Sequence, residues 1–133
     1  MKEKEQGFFG SIALSRKVMA ALEAMGFEEP SPIQEKTIPV IREGNDVIGQ
    51  AQTGTGKTAA FGIPITEKVT DTRHVQALIM TPTRELALQV SEEIAKIGQY
   101  KRVKTLPVYG GQSIDRQIRA LQFGVQVVIG TPG

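Results

Sequence analysis

The chain has 133 residues, 40% of them hydrophobic and 23% charged, with a formal net charge of +2. That is enough chain for one buried core, and no apolar run is long enough to span a bilayer. Cysteine is absent and histidine occurs once, at His74, which excludes disulfides and thiolate metal sites and argues against a transition-metal cluster.

The charged start, Met1 to Gln6, leads into no apolar signal core, so a cytoplasmic protein with no membrane partner is expected. Leu14, Val18, Leu22 and Met25 then mark one helix that Gly26 ends, and Ser31 with Pro32 starts another. A strand over Val47 to Gln50 comes next, followed by a helix from Thr58 to about Val69 that Pro64 is expected to bend or interrupt. A strand over Ala77 to Met80 precedes a helix over Arg84 to Gln99. A strand over Thr105 to Tyr109 precedes a helix over Ser113 to Phe123, with Ile114, Ile118 and Leu121 at helical spacing. A last strand covers Val125 to Ile129. Alternating β and α segments with nearly all-apolar strands imply an α/β fold, a mostly parallel sheet with helices on both faces.

Between the first strand and its helix lies Ala51-Gln52-Thr53-Gly54-Thr55-Gly56-Lys57-Thr58. A strand, a Gly-rich turn and a helix start together make a phosphate-binding loop: successive backbone N–H groups curl around the anion and the helix dipole adds to them. Lys57 is placed to reach the β and γ phosphates of a nucleotide, and the Thr58 hydroxyl to ligate a bridging Mg2+. Ala51 stands where the strict pattern has Gly. The plainer alternative is an ordinary turn with a solvated lysine.

If the strands are parallel, the loops after them share one edge of the sheet, where ligands of open α/β sheets gather. Those loops are Ala51 to Thr58, Thr81-Pro82-Thr83-Arg84-Glu85, Gly110-Gly111-Gln112, and Gly130-Thr131-Pro132-Gly133. Hydroxyls, glycines and an arginine suit a second polyanion site. Charge leans the same way, since residues 84–133 carry seven Lys or Arg against four acids and residues 1–83 nine against ten. Each loop also reads as a simple turn, with Thr81 or Thr83 capping the helix that follows.

Phe9, Gly26 to Gln34, Ala51 to Thr58, Pro82 to Ala87, Gly110-Gly111 and Thr131-Pro132-Gly133, in that order, resemble the early motifs of DEAD-box ATP-dependent RNA helicases. The resemblance covers essentially the whole chain. It implies the first part of a RecA-like domain, with a Gln motif at about residues 8–35 and the phosphate loop at 51–58. It further implies ATP and Mg2+ as ligands, Gln34 bonded to adenine, Phe9 stacked on it, and Lys57 and Thr58 at the reacting phosphates. Pro82, Thr83, Arg84, Gly110, Gly111, Thr131 and Gly133 fall where the family grips the RNA sugar-phosphate backbone, irrespective of base sequence. Two of these residues carry a second reading of their own. Ser31-Pro32-Ile33-Gln34 is also a capping box, and Phe8-Phe9 is also a plausible apolar anchor.

The chain stops before the arginine of the last motif and contains no Asp-Glu-Ala-Asp run. It therefore reads as a truncated first domain with an incomplete sheet whose exposed edge invites association. Three functions remain in view: the nucleotide- and RNA-binding part of an RNA-remodelling ATPase, a P-loop enzyme acting on small molecules, and a binding module without turnover.

Overall fold

The computed structural model describes residues 6–46 and 56–132. The expected strand at Val47 to Gln50, loop residues Ala51, Gln52, Thr53, Gly54 and Thr55, and Gly133 lie outside the described residues. In chain order the elements are β1 (Gln6–Phe9), β2 (Ile12–Ser15), α1 (Arg16–Ala24), α2 (Pro32–Arg42), α3 (Lys57–Lys68), β3 (Ala77–Met80), α4 (Arg84–Ile97), β4 (Thr105–Val108), α5 (Ile114–Phe123) and β5 (Val127–Gly130).

The sequence reading missed the β1–β2 hairpin, an antiparallel pair with Phe9 opposite Ile12. Leu14, expected in the first helix, lies in β2. The helix starts two positions later, at Arg16, because Ser15 is extended and its hydroxyl accepts from Val18 N–H. Leu14 before this cap and Met19 four positions after it both join the core, a staple that sets the angle between strand and helix. Gly26 ends α1 as expected. At φ +86°, a conformation that a Cβ disfavours, it lets its own N–H reach Glu23 O at 3.1 Å and Phe27 N–H reach Leu22 O at 2.9 Å. This paired closure throws Phe27 off the helix end.

α3 runs through Pro64 without interruption. Its neighbours hold it: it packs against both α2 and α4 and joins two cores. One is built from the hairpin, α1, α2 and Ile63 of α3. The other is formed by Ala87, Val90 and Ile94 of α4 with Val127 and Ile129 of β5, and Phe61 and Ile65 of α3 pack against it.

The main sheet is parallel, in the order β3-β5-β4. Pro107, which has no N–H for a ladder, sits in a strand paired on one side only among the described residues, as proline requires. The connections β3–α4–β4 and β4–α5–β5 run in opposite directions across the sheet, so right-handed crossovers put α4 and α5 on opposite faces. α4 covers its face. On the other face, Leu78 and Met80 are 65% and 57% exposed, and α5, whose Ile114, Ile118 and Leu121 predicted a core face, buries no residue.

Gln126 shortens the last strand relative to expectation. Its carbonyl accepts from Gln76 and Ala77 N–H, and its side chain accepts from Lys104 N–H at 2.8 Å and donates to Thr72 O. These bonds staple the entering ends of all three strands, and the ladder begins at Val127.

Candidate nucleotide cleft and polyanion edge

A cleft of about 1250 Å³ opens where the end of α1, the starts of α2 and α3, and one side of α4 meet. Ser31 and Pro32 begin α2, and Gln34 follows three positions on. Gln34 is 4% exposed. Its Oε1 accepts from Ser31 N–H at 2.9 Å, which is the expected capping contact. Its Nε2 donates to Gly56 O at 3.1 Å, so the same amide also ties α2 to the residue that opens α3. One N–H and one lone pair of that amide remain in its bonding capacity. The reciprocal half of the box has the arrangement but not a hydrogen bond: Ser31 Oγ is buried without a partner.

Gly56 precedes α3 at φ +80°. A Cβ there would fall 2.3 Å from Gln34 Nε2, so conformation and space both call for glycine. Lys57, exposed, and Thr58, half-buried, form the first turn of α3 and line the cleft. This places cation and hydroxyl at the positive end of the helix.

Phe9 departs from its assigned role. It has no exposed surface and packs among Ile12, Leu14, Val18 and Leu22, so no ring face is open to a ligand. The apolar-anchor alternative describes it. Two aromatic residues line the cleft, Phe61 of α3 and Phe27; Phe27 is backed by Phe9 at a centroid distance of 6.5 Å and an interplanar angle of 22°. Its placement comes from the Gly26 turn, a signal that sequence spacing alone did not weigh. Glu93 on α4 was also missed. It lines the same cleft, and burial raises its carboxyl above the usual range, with Lys96 pulling the other way.

At the carboxyl ends of the strands the predicted residues divide. Thr81 and Thr131 have their N–H groups in the sheet, donating to Gly130 O at 2.8 Å and Val108 O at 3.1 Å. The Thr81 hydroxyl is within bonding distance of Thr83 O and Gly130 O. Thr83 caps α4, its hydroxyl oxygen accepting from Leu86 N–H at 3.1 Å, so the capping alternative holds for it. Pro82, Arg84, Gly110 and Gly111 are exposed. The Arg84 guanidinium lies over the Tyr109 ring, 5.4 Å from its centroid, which brings the start of α4 beside the Gly110-Gly111 loop.

Among the described residues, no group of three or more His, Cys, Asp or Glu could hold a metal ion, and no helix is long and apolar enough to cross a membrane. For Mg2+ the donor offered is the Thr58 hydroxyl, a hard oxygen beside Lys57. This fits an ion that keeps several waters and shares phosphate oxygens with the protein.

Comparison with known proteins gives a consistent result. The family described as DEAD/DEAH box helicase matches residues 31–133. A protein of Geobacillus kaustophilus named DEAD-box ATP-dependent RNA helicase CshA is 64% identical over 94% of this chain and 27% of its own length. Its namesake in Bacillus subtilis is 59% identical over 94% of the chain and 26% of its own length. Among solved structures, a DEAD box protein from Methanococcus jannaschii superposes with a TM-score of 0.88 at 42% identity, over 96% of this chain and 35% of that one. A hypothetical ATP-dependent RNA helicase from Sulfolobus tokodaii gives 0.79 at 41% identity, over 89% of this chain and 34% of that one. The chain thus spans about a quarter of the length of the curated relatives it matches.

Proposed function

The chain belongs to the DEAD/DEAH box helicase family, with the RecA-like α/β fold of its structural neighbours, and from that premise we propose that it is the ATP-binding and part of the RNA-binding surface of an RNA-remodelling ATPase. The observation that carries the nucleotide assignment is the Gln34 amide, held at both ends between Ser31 and Gly56. An amide fixed in this way has its remaining donor and acceptor preorganised for the edge of a base. Adenine lies against Phe27 and reads Gln34, and Lys57 meets the phosphates. Mg2+, when bound, neutralises charge developing on those phosphates, and Thr58 holds it. Loop residues Ala51 to Thr55 share the phosphate-binding role by their sequence motif.

RNA lies along the exposed strand-end loops, gripped by Arg84, Gly110-Gly111, Thr131 and Gly133 through phosphates and sugars, without base readout. The protein works in the cytoplasm. A second reading applies to the chain taken alone, as a binding module without turnover. It follows from the absence of an Asp-Glu-Ala-Asp run in the 133 residues, because phosphoryl transfer to water needs further groups around the metal and the attacking water.

Calorimetric titration with Mg-ATP and Mg-GTP tests the nucleotide site. Lys57→Ala should weaken ATP binding with the circular dichroism spectrum unchanged. Gln34→Ala should erode the preference for ATP over GTP by about 1–3 kcal/mol, the range for a lost buried pairing. A retained preference with lowered melting temperature would assign Gln34 to capping alone. Phosphate release measured with RNA present should be negligible for this chain; turnover near that of a full-length relative would refute the second reading.

A further inference from the structure

Tyr109 stands between the start of α4 and the exposed Gly110-Gly111 loop. It follows β4 directly and is half-buried. Its backbone is fixed on both sides: Tyr109 N–H donates to Gln112 Oε1 at 3.3 Å, and Gln117 Nε2 of α5 donates to Tyr109 O at 3.5 Å and to Gln112 Oε1 at 2.7 Å. A side chain from α5 thereby holds the loop that carries Gly110 and Gly111.

The ring projects from this held loop under the Arg84 guanidinium, 5.4 Å from centroid to Cζ, inside the range where a cation is attracted to an aromatic face. Arg84 is exposed, and among the described residues no carboxylate is paired with it. The ring attracts the cation, and the N–H edge of its fork carries no carboxylate among the described residues. That edge is what binds phosphate oxygens in pairs. A free arginine loses much of its rotamer freedom on binding, whereas one already laid on a ring loses less.

We propose that Tyr109 is a positioning residue for Arg84: its ring, carried on a backbone held by Gln112 and Gln117, keeps the guanidinium beside the Gly110-Gly111 loop so that both engage one stretch of RNA backbone. This rests on the RNA reading above. It goes beyond that reading by coupling two contact elements and by giving α5 a part in RNA affinity.

The test uses the 133-residue chain with a fluorescein-labelled oligouridylate, read by anisotropy at low salt, together with the Arg84 Nε–H resonance without RNA. Arg84→Ala should weaken binding about tenfold through loss of a charged phosphate contact. Tyr109→Leu should weaken it about two- to fivefold, the scale of an exposed cation–π contact, with Mg-ATP affinity unchanged. It should also cost nothing further in the Arg84→Ala background. Tyr109→Phe should retain wild-type binding. The Arg84 Nε–H proton, shifted by the ring current in wild type and Tyr109→Phe, should move in Tyr109→Leu. If leucine disturbs the fold, pentafluorophenylalanine at 109 keeps the ring's size while removing its negative face, and should give the same loss. A Tyr109→Leu cost that persists in full without Arg84 would mean that the ring touches RNA itself and would overturn the proposal, as would an unmoved Arg84 resonance. No RNA binding by wild type, or none lost in Arg84→Ala, would instead overturn the RNA assignment and the proposal with it.

Discussion

Gly56 and Gln34 compete for the same space, which makes the neck of the phosphate loop sensitive to a single methyl group. A Cβ on residue 56 would sit 2.3 Å from Gln34 Nε2, and the glycine's φ of +80° would strain any L side chain. Gly56→Ala should lower stability by about 1–3 kcal/mol and weaken Mg-ATP binding, measured by urea denaturation and calorimetry. An alanine variant as stable as wild type would show that Gln34 is free to move. Glu93 allows a pH test. Burial raises its folded pKa, so the folded state holds the proton more tightly than the unfolded chain. The cost of the charge is absent below the ordinary carboxylate value of 4.5 and grows as pH rises through the raised folded value. Glu93→Gln should therefore raise the melting temperature at neutral pH and leave it nearly unchanged in acid; the opposite pH trend would contradict the burial.

At the scale of elements, α3 depends on a cap from a distant loop. Lys101 Nζ donates to Thr66 O at 2.7 Å and Glu67 O at 3.1 Å, which satisfies carbonyls at the helix end with a cation where the dipole favours one. The Glu67 carboxylate in turn accepts from Ser15 N–H and Oγ at 3.1 and 2.8 Å, linking α3 to the cap of α1. Burial lowers the Lys101 pKa, Glu67 opposes this and Lys17 adds to it, so part of the bonding gain is offset by desolvation. Lys101→Met should cost about 1 kcal/mol in urea denaturation with nucleotide affinity preserved, since the lysine is remote from the cleft. Periodicity identified α1 of this network by its apolar stripe, whereas α3, which opens on Gly56 with no side-chain cap, was expected from its place between two strands. Periodicity missed the β1–β2 hairpin, whose Leu14 happens to fall at helical spacing from Val18 and Leu22.

For the molecule as a whole, the two faces of the β3-β5-β4 sheet differ. α4 closes one face. The other presents Leu78 and Met80, and α5 adds Ile114 at 69%, Ile118 at 46%, Leu121 at 40% and Phe123 at 72% exposure. So many large apolar side chains exposed together are unusual in a soluble monomer. The chain should therefore bind an apolar reporter dye such as anilinonaphthalene sulfonate while keeping native circular dichroism. Leu78→Lys with Phe123→Lys should reduce the dye fluorescence at least severalfold; undiminished fluorescence would place the dye elsewhere.

The sequence by itself determined what depends on local chemistry and period. That covers the α/β alternation, the parallel sheet, the Ser31 and Gly26 boundaries, and Gln34 as a capping residue of α2. Tertiary structure decided what depends on which neighbour arrives from elsewhere in the chain. Phe9 and Phe27 are both aromatic residues of one motif region, but the hairpin turns Phe9 inward and the Gly26 closure sends Phe27 to the cleft. Ile114, Ile118 and Leu121 have the spacing of a core helix, yet burial needs a partner surface, and spacing carries no information about one. Arg84 and Tyr109 are 25 positions apart, and only the parallel pairing of β3 and β4 on either side of β5 sets them ring to cation.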